Sequence, residues 1–421
     1  MNTQAPQTQQ SDNRYIFWFF GLMAVVQGGS ASYLLNFLKP HLATQGISVE
    51  LIAFIAALLF APLAVKVLFG LMIDRFSFFG YGHRMSYMIF GLGGYGFFTL
   101  IAFWVEPNAH FGFFTALMLL GQIGLALSDT AATAYGMEVA RLEEHSKVRT
   151  IFTVGRGLGF IGVSFVSGYL AKQFGYAAIF MLLAIITYLP FLLLPLLRNT
   201  TVHTERPAFN WRALGVMFQP KYLGYIAFLI LAFFTFQGID GLTTYYLSRD
   251  LGISEEMLGI FGTMKGIGVI AGAILWHWVS QRWGRNQAVL ITIASITVGG
   301  LWVSVTTNQN SLLLLSIILG IVTGFQRTAY ITYSMGITDL RIAASMLAVF
   351  QMVSNIGVVS GEWISTILTE TIQFSTLFQW LAVVNLLLIP CFIWLSRQLQ
   401  RPDATNTTST STLATTEPVT S

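Results

Sequence analysis

Past a polar, Gln/Thr-rich start, the chain alternates between apolar runs of about twenty residues and short polar breaks, and it does so to the end of residue 395. A hydrocarbon core about 30 Å thick needs roughly 20 apolar residues for each helical crossing. The pattern therefore predicts twelve spans, at 15–38, 49–73, 85–105, 111–139, 148–171, 176–197, 222–247, 256–279, 288–306, 311–336, 342–369 and 377–395. The longest internal break, 198–221, carries Arg198, Glu205, Arg206, Pro207 and Arg212 and divides the spans six and six. This predicts an all-α integral membrane protein: a tail at 1–14, a six-helix bundle at 15–197, a linker at 198–221, a second six-helix bundle at 222–395 and a tail at 396–421. The Thr/Ser-rich end has too little apolar content for a core and is expected to be disordered. Span 1 exceeds a signal-peptide core of about 7 to 15 residues and lacks a small-residue cleavage pattern, so it is expected to be retained.

Composition agrees, with 55% hydrophobic and only 10% charged residues. The placement of the charges adds orientation. Arg14, Arg75, Arg84, Arg141, Lys147, Arg198, Lys221, Arg282, Arg285, Arg341 and Arg397 fall on one side of the predicted spans, against Lys39, Lys172 and Arg249 on the other. Basic loops face the cytoplasm, so both termini and the linker are expected there, in an inner membrane. The net charge of +4 is accounted for by this asymmetry, and no nucleic-acid footprint is read into it. A single cysteine, Cys391, rules out an internal disulfide, and the histidines at 41, 83, 110, 145, 203 and 277 lack metal-ligand spacing. No phosphate-binding Gly-x-x-x-x-Gly-Lys-Ser/Thr stretch and no nucleophile–base pair is visible. The expectation is a non-enzyme without cofactor or metal.

Against this background the charges inside spans stand out: Lys66, Arg156, Lys265 and Arg327, with Asp129, Asp240 and Glu362. Each costs at least about 2.5 to 3.5 kcal/mol at a helix centre, so each is expected to face the bundle interior or a water-filled cavity. At 1.5 Å per residue, Arg156, Arg327 and Asp129 lie roughly 12 to 14 Å from the basic side, near the midplane. Helical spacing aligns Thr323, Arg327, Tyr330 and Ser334 on span 10, Phe233, Gln237, Asp240 and Thr244 on span 7, and Gln351, Asn355, Glu362 and Thr366 on span 11. Such stripes predict a polar cavity. The expected solute contacts are Lys66, Arg156, Arg327, Tyr330, Asp129, Gln237 and Asn355. Proton coupling or gating falls to Asp129, Asp240, Glu362 and Lys265, since a carboxyl in low dielectric can load and release a proton. The competing reading is that these charges pair permanently, for instance Arg156 with Asp129, and only fix packing. "GRGLGFIGVSFVSG" (155–168) has the glycine spacing of a dinucleotide fingerprint, but inside a span it reads as close helix packing. Pro62, Gly266, Gly268 and Gly272 read as points of bending and sliding.

Gly70, Asp74, Arg75 and Arg84, between spans 2 and 3, resemble the conserved loop of the major facilitator superfamily. An echo between spans 8 and 9 keeps Arg282, Gly284 and Arg285, with His277 and Gln281 standing where glycine and aspartate are expected. Extra residues separate Arg75 from Arg84. The resemblance implies two pseudo-symmetric six-helix bundles, secondary transport by alternating access, and a role for these seven residues in stabilising one conformation. Lys66, four residues before Gly70, is similar to the substrate-facing lysine of organophosphate:phosphate antiporters, although spans 1 and 7 lack those antiporters' arginines. "KVLFGLMIDRF", "FGYGHR" and "SDTAATAYGMEVA" also look like muropeptide permeases and folate-biopterin transporters. The expected function is transport of a small organic anion, by proton coupling or anion exchange. Proton symport of a neutral solute such as a sugar, and a non-transporting sensor on the same scaffold, remain open. Expected partners are the bilayer, the solute and protons, with the chain acting as a monomer.

Overall fold

The computed structural model describes residues 14–76, 83–139, 145–197, 215, 218–306, 311–338 and 343–399. Residues 1–13 and 400–421 of the expected tails, most of the linker, and Arg141, Arg198, Arg206, Arg212 and Arg341 lie outside the described residues, while 396–399 of the expected second tail are helical. Among those described, every regular element is helical, and eleven helices are long and apolar enough to cross a membrane, or twelve when one bent pair counts as a single span.

The helices are α1 (Arg14–Ser32), α2 (Leu38–Thr44), α3 (Val49–Ala64), α4 (Lys66–Arg75), α5 (His83–Ala102), α6 (Phe111–Val139), α7 (His145–Phe174) and α8 (Ala177–Tyr188) in the first half. The second half contains α9 (Pro220–Arg249), α10 (Glu255–Trp283), α11 (Arg285–Val305), α12 (Leu312–Ile337), α13 (Ala343–Leu368), α14 (Phe374–Leu386) and α15 (Leu388–Leu399).

Departures from the predicted spans occur at prolines. A π-helical turn, Tyr33–Phe37, joins α1 to α2 just before Pro40. Proline offers no N–H and crowds the carbonyl four residues back, and a locally widened turn accommodates both. The helix consequently runs on to Thr44 and carries Lys39 inside it, correcting the expectation that Lys39 sits in a connection. Pro62 acts similarly in span 2, where α3 and α4 meet at Val65 with a 42° bend. Lys66 is the first residue beyond that bend. Span 6 ends in a 3-10 stretch, Leu189–Leu197, which contains Pro195.

The buried apolar residues form three clusters whose arrangement sets the shape of the interior. One, with Ile16, Phe20, Met88 and Tyr135, belongs to the first half, and another, with Tyr225, Ile293, Tyr330 and Phe392, to the second. Both lie toward the end of the bundle that carries Arg75, Arg282 and Arg285, called here the basic face. The third cluster lies toward the far face and draws on both halves, bringing Tyr33, Phe37 and Phe180 together with Phe236, Tyr245 and Phe261. A shared core at one end and separate cores at the other make a bundle whose halves are joined at the far face and parted toward the basic face.

Near the far face the backbones of α7 and α10 almost touch. A Cβ built on Gly168 would lie 2.7 Å from the Gly259 Cα, and one on Gly259 2.7 Å from the Gly168 Cα, a separation no real side chain tolerates. Beside them Lys172 pairs with Glu256. Gly168→Leu or Gly259→Leu should force the halves apart there, and overpacking of about 1 to 3 kcal/mol reduces the far-closed population by roughly tenfold or more. Disulfide trapping between Lys172→Cys and Glu256→Cys, in a Cys391→Ser background, reads this out as a lost cross-link.

Candidate functional site

The in-span charges form three groups. Asp129, on α6, is the hub of the first: Lys66 donates to its Oδ2, and Arg156 Nη2 donates to its Oδ1 at 2.6 Å. The bend at Pro62 puts Lys66 within reach of α6, and α7 packs closely enough on α1 for the Arg156 Nε to donate to Gln27 at 2.6 Å. Arg156 also sits over the Phe152 ring, 6.0 Å from its centroid. The carboxylate is nearly enclosed, whereas the Arg156 side chain is 47% exposed. One carboxylate thus neutralises one of two cations.

The second group is in the C-terminal half. Lys265 on α10 pairs with Asp240 on α9 at 2.6 Å, with both side chains almost wholly enclosed, and Thr323 also reaches Asp240 at 3.5 Å. Arg327, one helical turn along α12 from Thr323, makes no ion pair among the described residues. Its side chain is exposed although it sits deep in the bundle. Tyr330, on the same face of α12, packs against Phe233 and Phe228, and its buried hydroxyl has no hydrogen-bond partner.

The third group seals the far face. Lys39 pairs with Glu362 at 2.5 Å and donates to the Gly241 carbonyl at 2.8 Å. Gln237 donates to the other Glu362 oxygen at 2.8 Å, and Thr244 donates to the Leu35 carbonyl at 2.7 Å. These contacts tie the first half to α9 and α13. Nearer the middle, Asn355 donates to the Leu63 carbonyl at 2.7 Å, a group left available by the break after α3. Gln237 and Asn355 are thereby engaged with protein groups, the former with Glu362 and the latter with the backbone of the other half.

Residues of the loop motif sit at the basic face. Gly70 faces Thr130 across α4 and α6, with 3.9 Å between a built Cβ and the threonine methyl. Arg75 is exposed and Arg84 buried, while the Asp74 side chain lies outside the described part. Tyr87 donates to the Phe76 carbonyl at 2.9 Å, tying the two edges of the loop. In the second copy, Gly284 turns the chain between α10 and α11 at φ 83°, a left-handed conformation that favours glycine. Arg282 is exposed, and the Arg285 guanidinium lies against Gly336 at the end of α12.

Sequence reasoning had missed Lys39, counted as a loop residue because the apolar run stops at Leu38, and Gln27, a polar residue inside span 1. The rule that in-span polarity needs a partner would have found Gln27. Nothing in the hydrophobic pattern would have found Lys39. No group of three or more His, Cys, Asp and Glu side chains that could hold a metal occurs among the described residues.

The helices thus form a membrane bundle whose halves join at one face and part at the other, around a charged interior. The Major Facilitator Superfamily profile matches residues 20–248 and again 230–419, and the chain belongs to that superfamily. It is a multi-pass integral membrane protein, and it spans just over half the length of the first relative below. A folate-biopterin transporter of Synechocystis sp. is 24% identical over 289 residues, covering 62% of this chain and 57% of that protein. The galactose-proton symporter of Escherichia coli is 25% identical over 137 residues, covering 32% of this chain and 28% of its own length. Among solved structures, a D-xylose-proton symporter superimposes with a TM-score of 0.71 at 16% identity, covering 90% of this chain and 97% of that one. At that identity the likeness concerns the fold.

Proposed function

We propose that this transporter moves a small organic anion, driven by proton symport or by exchange for another anion. The reading rests on Arg327, an exposed guanidinium deep in the bundle that makes no ion pair with a carboxylate among the described residues. A cation kept there is costly, and an anionic solute entering between the halves supplies the missing counter-ion. The resemblance to a folate-biopterin transporter supports an organic solute. In this reading the basic face is cytoplasmic, the termini and linker lie on that side of an inner membrane, 15–197 and 222–395 are the two rocking bodies of a monomer, and Asp129, Asp240 or Glu362 carries any coupled proton. The galactose-proton symporter likeness favours a second reading, symport of a neutral solute with the buried cations as fixed counter-ions.

Uptake into proteoliposomes, across a panel of organic anions and sugars with and without a pH gradient, decides between them. Arg156→Gln and Arg327→Gln should each reduce anion uptake by about tenfold or more, as expected for loss of a charge-assisted contact of about 1.5 to 3 kcal/mol. Sugar uptake that survives both substitutions would overturn the anion reading.

A further inference from the structure

The charge balance of the interior goes further than an anion preference. Among the described side chains between the sealed far face and the basic face, Lys66, Arg156, Lys265 and Arg327 are opposed only by Asp129 and Asp240. Two positive charges are left over, one in each half: the first half holds two cations on one carboxylate, and the second has a neutral pair plus Arg327. The Lys39–Glu362 pair is internally neutral and does not alter this.

In the conformation described here the excess is tolerated because the Arg156 and Arg327 side chains are exposed rather than enclosed. To pass to the opposite conformation the halves must close over the site at the basic face, and that occluded intermediate is the driest point of the cycle. Closing over two like charges without counter-ions is heavily penalised. A monovalent anion removes half of the excess, whereas a divalent one removes all of it, with one negative charge for each half. An empty site retains both charges and should return slowly.

Resting on the anion reading above, we propose that this chain is an obligate exchanger of divalent organic anions, one negative group of the solute facing Arg156 and the other facing Arg327. Tyr330, one turn from Arg327 with an unpartnered hydroxyl, is the neutral donor on the second side.

The test uses the purified full chain and pairs of probes matched in shape but differing in charge: phthalate with benzoate, succinate with butyrate, glycerol 3-phosphate with glycerol, all at constant ionic strength. The divalent member of at least one pair should raise the unfolding temperature by several degrees at about a hundred times its Kd, and its monovalent or neutral partner should not. Arg327→Gln, which lowers the excess to a single charge, should reverse the preference towards the monovalent member, and Arg327→Lys should keep it divalent. In proteoliposomes, influx of the best divalent probe should be on the order of tenfold faster or more with the same anion inside than into empty vesicles. Stabilisation by no divalent probe, equal stabilisation by both members of every pair, an unchanged preference in Arg327→Gln, or influx into empty vesicles at the exchange rate would each overturn the proposal. Monovalent uptake that still requires Arg156 and Arg327 would defeat the divalent exchanger and leave the anion reading standing. Uptake of neutral probes alone would defeat both.

Discussion

Asp129→Asn should lower the unfolding midpoint of the purified protein by several degrees. The carboxylate holds Lys66 with one oxygen and Arg156 with the other, so neutralising it strands two cations at once. Breaking a buried pair from one side costs about 3 to 5 kcal/mol, because the partner charge is left uncompensated. Arg156 is hydrated and keeps its bond to Gln27, which places the expected cost near the lower end, at about 3 kcal/mol. Asparagine is nearly isosteric, so cavity formation contributes little and the effect reports charge. Adding Lys66→Met should recover part of the loss, since the second substitution removes one of the stranded cations, and the recovery is the coupling energy of a double-mutant cycle. Thermal melts of the four proteins measure it. A single variant that melts within about a degree of the parent would show that the carboxylate is not the counter-ion of these cations.

The number and extent of the crossings were legible because bilayer thickness imposes a length on apolar runs that no soluble fold imposes. Errors in that reading fall at Pro40 and Pro62, where the chain stays helical or bends by means that hydropathy does not register. At Lys39 the error had a chemical cause. A lysine after an apolar run looks like the end of a span, and only the position of Glu362 on α13 reveals why it can be buried. Periodicity places Phe233, Gln237, Asp240 and Thr244 along one side of α9. It could not say which helix each would meet: Tyr330 of α12, Glu362 of α13, Lys265 of α10 and Leu35 of span 1 respectively. Pairing of Arg156 with Asp129, and of Asp240 with Lys265, could be entertained from matched depth alone. The lack of any carboxylate for Arg327 could not, because it depends on Asp240 being taken by Lys265 and Asp129 by two other cations. The functional argument thus turns on a stoichiometry of charges that appears only when the helices are assembled.

Assembly also separates two kinds of buried charge that composition treats alike. Arg156 and Arg327 are exposed and lack full compensation, as suits groups that meet a solute. Lys39 and Glu362 are dry, mutually neutral and supplied with further hydrogen bonds from Gly241 and Gln237. A pair of this second kind gains nothing from a solute; it distinguishes the conformation in which the far face is closed from the one in which it is open.

Lys39→Ala should therefore open the far face. With the lysine gone, Glu362 is a carboxylate 2% exposed with one amide donor, and the cost of about 3 to 5 kcal/mol is relieved when the halves part and water enters. A bias of about 3 kcal/mol shifts a two-state population by more than a hundredfold. The shift is read by labelling Thr244→Cys, in a Cys391→Ser background, with a membrane-impermeant maleimide applied at the far face. Thr244 is buried against the Leu35 carbonyl while the seal holds, so labelling should accelerate by at least about tenfold. Exchanging the partners, Lys39→Glu with Glu362→Lys, should restore protection to the extent that the swapped pair keeps its geometry. Replacing both by methionine should protect as well, since an apolar pair of similar volume incurs no charge desolvation. Accelerated labelling in the methionine double variant would locate the effect in packing. Labelling of Lys39→Ala at the parent rate would mean that the ion pair does not hold the far face shut.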